Sequence, residues 1–138
     1  MFEVLLAEDN PADVYLIREA LRENSVDCSI YVAPDGKEAL QLLQNGLPNR
    51  ATPDLMILDL NLPRHDGIEI LERMRDMGIR HLPVVVLTSS DSPRDRQMAI
   101  QLGAIRYLRK PSGLEQFLSL GVIFKELLTA SKASSEGA

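Results

Sequence analysis

DLMILDL, residues 54–60, is the stretch on which the fold turns. It is almost continuously apolar over the length of one strand, the pattern of a strand covered by helices on both faces. PVVVLTS (83–89) repeats that pattern, and FEVLLA (2–7), a weaker CSIYVA (28–33) and IRYLR (105–109) bring the short apolar runs to five. Helix-start signals lie between the runs. Asn10-Pro11 supplies a cap and a first helical residue, and Val14, Ile17 and Leu21 follow on one face. Asp35-Gly36-Lys37-Glu38 opens a second amphipathic segment, carrying Ala39, Leu42 and Leu43, and Asp66-Gly67-Ile68-Glu69 opens a third, with Ile70, Leu71 and Met74 inside. Ser92-Pro93 and Ser112-Gly113-Leu114-Glu115 open two more, while Gly78 and Gly103 stand where helices need C-caps.

Strand and helix alternating in this way predict right-handed crossovers and a parallel sheet with helices on both faces, an α/β doubly wound sandwich. The 138 residues suit one domain, expected over 1–130, and the polar SKASSEGA (131–138) reads as a disordered tail. A net charge of -5 weighs against nucleic acid as the main partner, because binding a phosphate backbone needs a basic face. Cys28 is the single cysteine, so neither an internal disulfide nor a thiolate metal cluster is available, and its place in an apolar run reads as a small hydrophobe. There is no signal-peptide pattern and no apolar run of about 18 residues, from which a cytoplasmic address and no membrane partner are expected.

Ligands of such sheets bind outside the C-terminal ends of the strands. The first strand ends at Glu8-Asp9, the third at Asp59-Leu60-Asn61, the fourth at Thr88-Ser89 and the fifth at Arg109-Lys110. Carboxylates about 4 Å apart repel by roughly 4 kcal/mol at an effective dielectric of 20. Glu8, Asp9 and Asp59 therefore call for cations; Lys110 is one, and oxygen-only ligands with room for water suit Mg²⁺. The rim reads as an Mg²⁺ and phosphoryl site with one aspartate as acceptor. Taken singly, each residue has a plainer reading: Glu8 and Asp9 as solvated charges before a helix, Thr88 as a strand terminus, Lys110 as a surface lysine. Asp59 resists it, as a charge set in an apolar strand. The arrival of all these groups at successive strand ends favours the site. His65 and His81 fall in predicted loops and read as surface residues.

These pieces, LLAEDNPAD (5–13), PDLMILDLNLPRHDG (53–67), PVVVLTSS (83–90) and GAIRYLRKP (103–111), together resemble the receiver domain of two-component response regulators over about residues 2–130. The resemblance implies a flavodoxin-like, CheY-like sheet of strand order 2-1-3-4-5. It implies that Asp59 is the phosphoacceptor. Glu8, Asp9, Asp59 and the backbone carbonyl of Asn61 would hold Mg²⁺. Thr88 would be the switch hydroxyl that turns inward, Tyr107 the switch aromatic, and Lys110 the partner of a phosphoryl oxygen. The backbone NH of Ser89 would complete the cradle, and the Lys110–Pro111 bond would be cis. Thr88 and Lys110 are expected to gain in the phosphoryl group a partner they lacked.

The implied protein is a stand-alone response regulator that accepts a phosphoryl group from a sensor histidine kinase. It is not an enzyme beyond self-catalysed phosphoryl transfer and autodephosphorylation. EDNPADVYLIREAL with DLNLPRHDG looks most like single-domain regulators that partner bacterial phytochrome kinases. Output would pass to a downstream protein target through a changed binding surface. On the last helix Leu114, Phe117, Phe124 and Leu128 mark a core stripe, and Leu120, Ile123 and Leu127 a second one. A surface helix apolar on both sides predicts a homodimer or partner contact through the fourth helix, fifth strand and fifth helix, against the plainer reading of a wider core face. Two rivals are a haloacid-dehalogenase-like phosphatase, which needs an acid where Asn61 stands, and a pseudo-receiver that takes no phosphate.

Overall fold

The computed structural model describes residues 1–48 and 52–137. Among these, strands β1 (Phe2–Ala7), β2 (Cys28–Ala33), β3 (Leu55–Leu58), β4 (Val84–Thr88) and β5 (Arg106–Arg109) alternate with helices α1 (Pro11–Glu23), α2 (Gly36–Asn45), α3 (Gly67–Asp76), α4 (Pro93–Gln101) and α5 (Leu114–Gly137). All pairings are parallel, and the sheet order is β2-β1-β3-β4-β5. The expected doubly wound sheet and its strand order are present.

Strand periodicity sorts the core into two layers. Val4 and Leu6 of β1, Leu55 and Ile57 of β3, and Val85 and Leu87 of β4 pack with Ile17 and Leu21 of α1 and with Phe117, Leu120, Phe124 and Leu128 of α5. Their neighbours Leu5, Ala7, Met56, Leu58, Val84 and Val86 pack with Ala39 and Leu40 of α2, Ile70, Leu71 and Met74 of α3, and Ala99 of α4. Every helix start with a cap uses the expected residue. Asn10 accepts from the NH of Ala12, Asp35 from Glu38, Asp66 from Glu69, and Ser92 from Asp95. Gly78 and Gly103 close α3 and α4 in left-handed conformations, at φ +76° and +108°. There a carbonyl one turn back is reached across the glycine, by Ile79 to Met74 and by Ala104 to Ala99.

Helix α5 departs from expectation in three ways. Its second apolar stripe is not a free face. Leu120 is buried, and Ile123 and Leu127 are half-buried against the α1–α5 layer. The cause is the close approach of α1: a Cβ on Gly121 would stand 2.2 Å from the Ala20 carbonyl oxygen and 2.3 Å from Asn24 Nδ2. Two faces of α5 are thereby covered, one by the sheet and one by a helix. Leu114 is 60% exposed instead of in the core, because it is the first residue of the helix. Backbone helix continues to Gly137, through the stretch read as a disordered tail, while Ala138 lies outside the described residues. Alanine, lysine and glutamate in that stretch favour helix once a packed helix precedes them. Among the described residues no helix is long and apolar enough to cross a membrane.

Candidate functional site

The C-terminal ends of β1, β3, β4 and β5 gather three of the four buried polar or charged residues among those described. Glu8, Asp59 and Thr88 are 2%, 5% and 0% exposed. Each is delivered by a short backbone link. The NH of Asp59 donates to the Ala7 carbonyl at 3.0 Å, tying the end of β3 to β1, and the NH of Lys110 donates to the Thr88 carbonyl at 2.8 Å, tying β5 to β4. The loop after Asp59 is held by Gly67. Its NH donates to the Leu60 carbonyl at 3.0 Å, and a Cβ there would meet Leu60 Cα at 2.7 Å and the Asp59 carbonyl oxygen at 2.9 Å. Only glycine fits against the backbone of Asp59 and Leu60 there.

The two carboxylate oxygens of Asp59 have separate surroundings. Oδ1 accepts from the Thr88 hydroxyl at 2.9 Å and the Asn61 NH at 3.0 Å, while Oδ2 accepts from Lys110 Nζ at 2.7 Å. Burial pushes the carboxyl up, but the Asn61 NH, Lys110 and Thr88 together outweigh it and hold Asp59 below the ordinary aspartate value. Those donors favour its ionised form. Glu8 is held oppositely. Burial raises its carboxyl to about 7, and the bond from Lys110 offsets only part of this, with the Asp59 charge adding to the rise. Burial also disfavours the Lys110 ammonium, yet bonds to Asp13, Asp59 and Glu8 hold its pKa above the ordinary lysine value.

Carboxylate oxygens of Glu8, Asp9 and Asp59 all lie within 4.8 Å of one another. Oxygens around a cation bound at about 2.0–2.1 Å are roughly 3–4 Å apart, so this all-oxygen set fits a hard divalent ion. Asp9 is exposed, which leaves a solvent side for waters. Asn61, also exposed, is anchored beside the set by its NH on Asp59 and by its side-chain amide, which donates to Thr88 Oγ1 at 3.3 Å. Ser89 is exposed directly after β4.

The residues singled out in the sequence do converge, but three details differ. Lys110 does not lack partners: its Nζ lies 2.7 Å from oxygens of Glu8, Asp13 and Asp59. Nor does the Thr88 hydroxyl wait outside, since it already bonds Asp59. Tyr107 is half-buried among the α2–α4 layer, and its hydroxyl donates to the Ser90 carbonyl at 3.1 Å. The NH of Ser90 in turn donates to Thr88 Oγ1 at 3.3 Å, and the Ser90 hydroxyl to Asp95 of α4 at 2.7 Å. The Lys110–Pro111 bond is trans, against expectation, since no cis peptide occurs among the described residues; trans is the lower-energy form even for a prolyl bond. Cys28 is half-buried and its thiol is pushed up by burial, in keeping with an inert side chain. His81 is exposed, and half-buried His65 pairs with Glu69 one turn into α3.

Asp13 was not foreseen. Its charge in the first turn of α1 has a sufficient local explanation in the helix dipole, and only the fold shows that it reaches Lys110. The pattern that could have found it is the acid placed four residues after Asp9 at the same strand end.

A family model described as response regulator receiver domain matches residues 4–120. Response regulator Rcp1 of Synechocystis sp. is 34% identical over 120 residues, covering 85% of this chain and 82% of that protein. The crystal structure of the phosphorylated cyanobacterial phytochrome response regulator RcpA superposes with a TM-score of 0.83 at 34% identity, covering 94% of this chain and 95% of that one. The Mn²⁺-bound form of Rcp1 superposes at 0.78, also at 34% identity, covering 88% and 89%. Transcriptional regulatory protein TrcR of Mycobacterium tuberculosis is 37% identical over 116 residues, which are 84% of this chain but only 42% of that protein.

Proposed function

The chain belongs to the response regulator receiver family, the phosphorelay components of two-component signalling, and from that membership we propose that Asp59 is the residue that takes the phosphoryl group. The observation that carries this reading is the setting of Asp59: a buried carboxylate, held ionised, with a hydroxyl and an NH on one oxygen and an ammonium on the other. Phosphoryl transfer is mostly positioning and charge neutralisation. An oxygen of Asp59 attacks phosphorus in line with the departing group of the donor. The new O–P bond forms as the donor's bond to phosphorus breaks. Lys110 and the Thr88 hydroxyl then face the phosphoryl oxygens, with the Ser89 NH completing the cradle.

Glu8, Asp9, Asp59 and the carbonyl of Asn61 would hold Mg²⁺. When bound, that ion neutralises charge on the phosphoryl oxygens, which the acidic rim alone cannot do. The family sets the donor class as a histidine kinase. Likeness to Rcp1 and RcpA supports a kinase of the phytochrome type, and the exchange is proposed to take place in the cytoplasm. The domain, residues 1–130, does no chemistry beyond accepting the group and losing it to water. Output runs through a protein-binding surface to a downstream target, and a second copy of the chain is one candidate for what covers it. Among the described residues, Ile100 of α4, Ile105 just before β5, and Leu114 and Val122 of α5 are exposed large apolar side chains on that side of the molecule.

The test is intact-mass measurement after incubation with acetyl phosphate and Mg²⁺, with beryllofluoride as a second probe. One phosphoryl group is expected on the protein and none on Asp59→Asn; Asp9→Ala should need at least about ten times more Mg²⁺ to reach the same labelling. Labelling that survives in Asp59→Asn, or turnover of a phosphoester without a covalent adduct, would overturn the assignment.

A further inference from the structure

An ammonium has three N–H donors, and Lys110 has its three partners at 2.7 Å: Glu8 Oε1, Asp13 Oδ2 and Asp59 Oδ2. These partners are not equivalent. Oxygens of Glu8 and Asp59 also belong to the set that fits a divalent ion, and Asp13 does not. A cation and a phosphoryl group arriving at the rim would claim the Glu8 and Asp59 oxygens, and Lys110 would have to release them. Its bond to Asp13 is the one that neither arrival displaces.

The placement of Asp13 suits that task. It stands in the first turn of α1, behind the Asn10 cap, where unpaired NH groups and the helix dipole favour a carboxylate. The two side chains are 12% and 18% exposed, so the pair is partly shielded from water, unlike an ordinary surface salt bridge. Without this tie, Lys110 is a flexible four-carbon arm at a rim where two of its three anchors have been taken. We propose that Asp13 is a positioning residue for phosphoryl transfer: it retains the Lys110 ammonium at the rim when the cation and the phosphoryl group take the other two carboxylates. This rests on the reading of Asp59 as the acceptor.

The measurement is a double-mutant cycle on the rate of phosphorylation by acetyl phosphate at saturating Mg²⁺. The transfer is balanced: phosphorus bonds to an Asp59 oxygen and acetate leaves with the electron pair. Since misplacing a reacting partner by a fraction of its reach costs one to two orders of magnitude, Asp13→Ala should lower the maximal rate about 10-fold, with the half-saturating acetyl phosphate concentration within about 2-fold. In the Lys110→Ala background the same substitution should change the rate less than about 2-fold, because the group it positions is gone. Asp13→Glu should recover most of the rate. Asp13→Asn keeps the shape and removes the charge, and should be slowed even if the alanine variant is poorly folded. An undiminished maximal rate in both Asp13→Ala and Asp13→Asn, or an equal loss with and without Lys110, would overturn the proposal. Wild-type protein that takes no phosphoryl group on Asp59 would remove the acceptor reading and this inference together. A labelled wild type with no Asp13 effect removes this inference alone.

Discussion

Glu8 and Asp59 share one lysine, yet their protons are managed in opposite directions. Asp59 is held below its ordinary value by donors on both oxygens, whereas Glu8 is raised to about 7, first by burial. In the metal-free protein this makes stability depend on pH with a defined sign. Between the unfolded glutamate value and about 7, the folded state keeps a proton on Glu8 that the unfolded chain has lost. The contribution is therefore fully present below the unfolded value and is lost as pH rises through about 7. Glu8→Gln should flatten the decline in urea-unfolding stability measured in chelator from pH 5 to 8, by up to about 1.4 kcal/mol per pH unit. An unchanged slope would show that Glu8 is already ionised there. Glu8, Asp9, Asp59, Thr88 and Lys110 were all legible in the sequence, because strand ends are easy to place and each group sits at one. Asp13 was not, because a first-turn acid already has a local reason to exist and its partner is 97 residues away. The inward hydroxyl of Thr88 and the trans bond before Pro111 were also beyond the sequence, since both are choices among low-lying rotamers or isomers.

At the scale of elements, hydrophobic period decided nearly everything except α5. Strands β1 and β2 fall on the residues their apolar runs marked, and the capped helices begin at the expected polar residues. Of the two readings of α5, the burial favours the wider core face, since the helix has two covered faces where one was expected. Period shows which side chains are apolar, but not how many neighbours will cover them, and Leu120, Ile123 and Leu127 are covered by the same layer that holds α1. Gly121 was the overlooked sign: a glycine in mid-helix sacrifices about 1 kcal/mol of helix propensity and needs a reason. Here the reason is contact with the Ala20 carbonyl and Asn24, whose amide also donates to the Leu118 carbonyl at 3.3 Å. Gly121→Ala should thus destabilise the protein by about 1–3 kcal/mol in denaturant unfolding, despite the better helix former. A gain in stability would mean that α1 and α5 separate without cost.

For the whole molecule, the acidic rim and the β5 side are separate surfaces joined through the β4–α4 loop. With Leu120 buried and Ile123 and Leu127 half-buried, the exposed large apolar side chains available for self-association through α4, β5 and α5 are, among the described residues, Ile100, Leu114 and Val122, with Ile105 just before β5. Light scattering with beryllofluoride and Mg²⁺ should show a shift toward dimer that Ile105→Lys weakens at least about 10-fold, a loss typical of a charge buried in an apolar contact. A monomer both with and without beryllofluoride would rule out a second copy as the occupant.

The Thr88 hydroxyl has one hydrogen, and in this structure Asp59 has it. The oxygen behind it is pulled from the other side by the NH of Ser90, whose carbonyl holds Tyr107 and whose hydroxyl holds Asp95 at the head of α4. A turn of that hydroxyl would therefore pull on α4 and β5 through a short thread of hydrogen bonds, while the Asp59 carboxylate itself stays sealed from water.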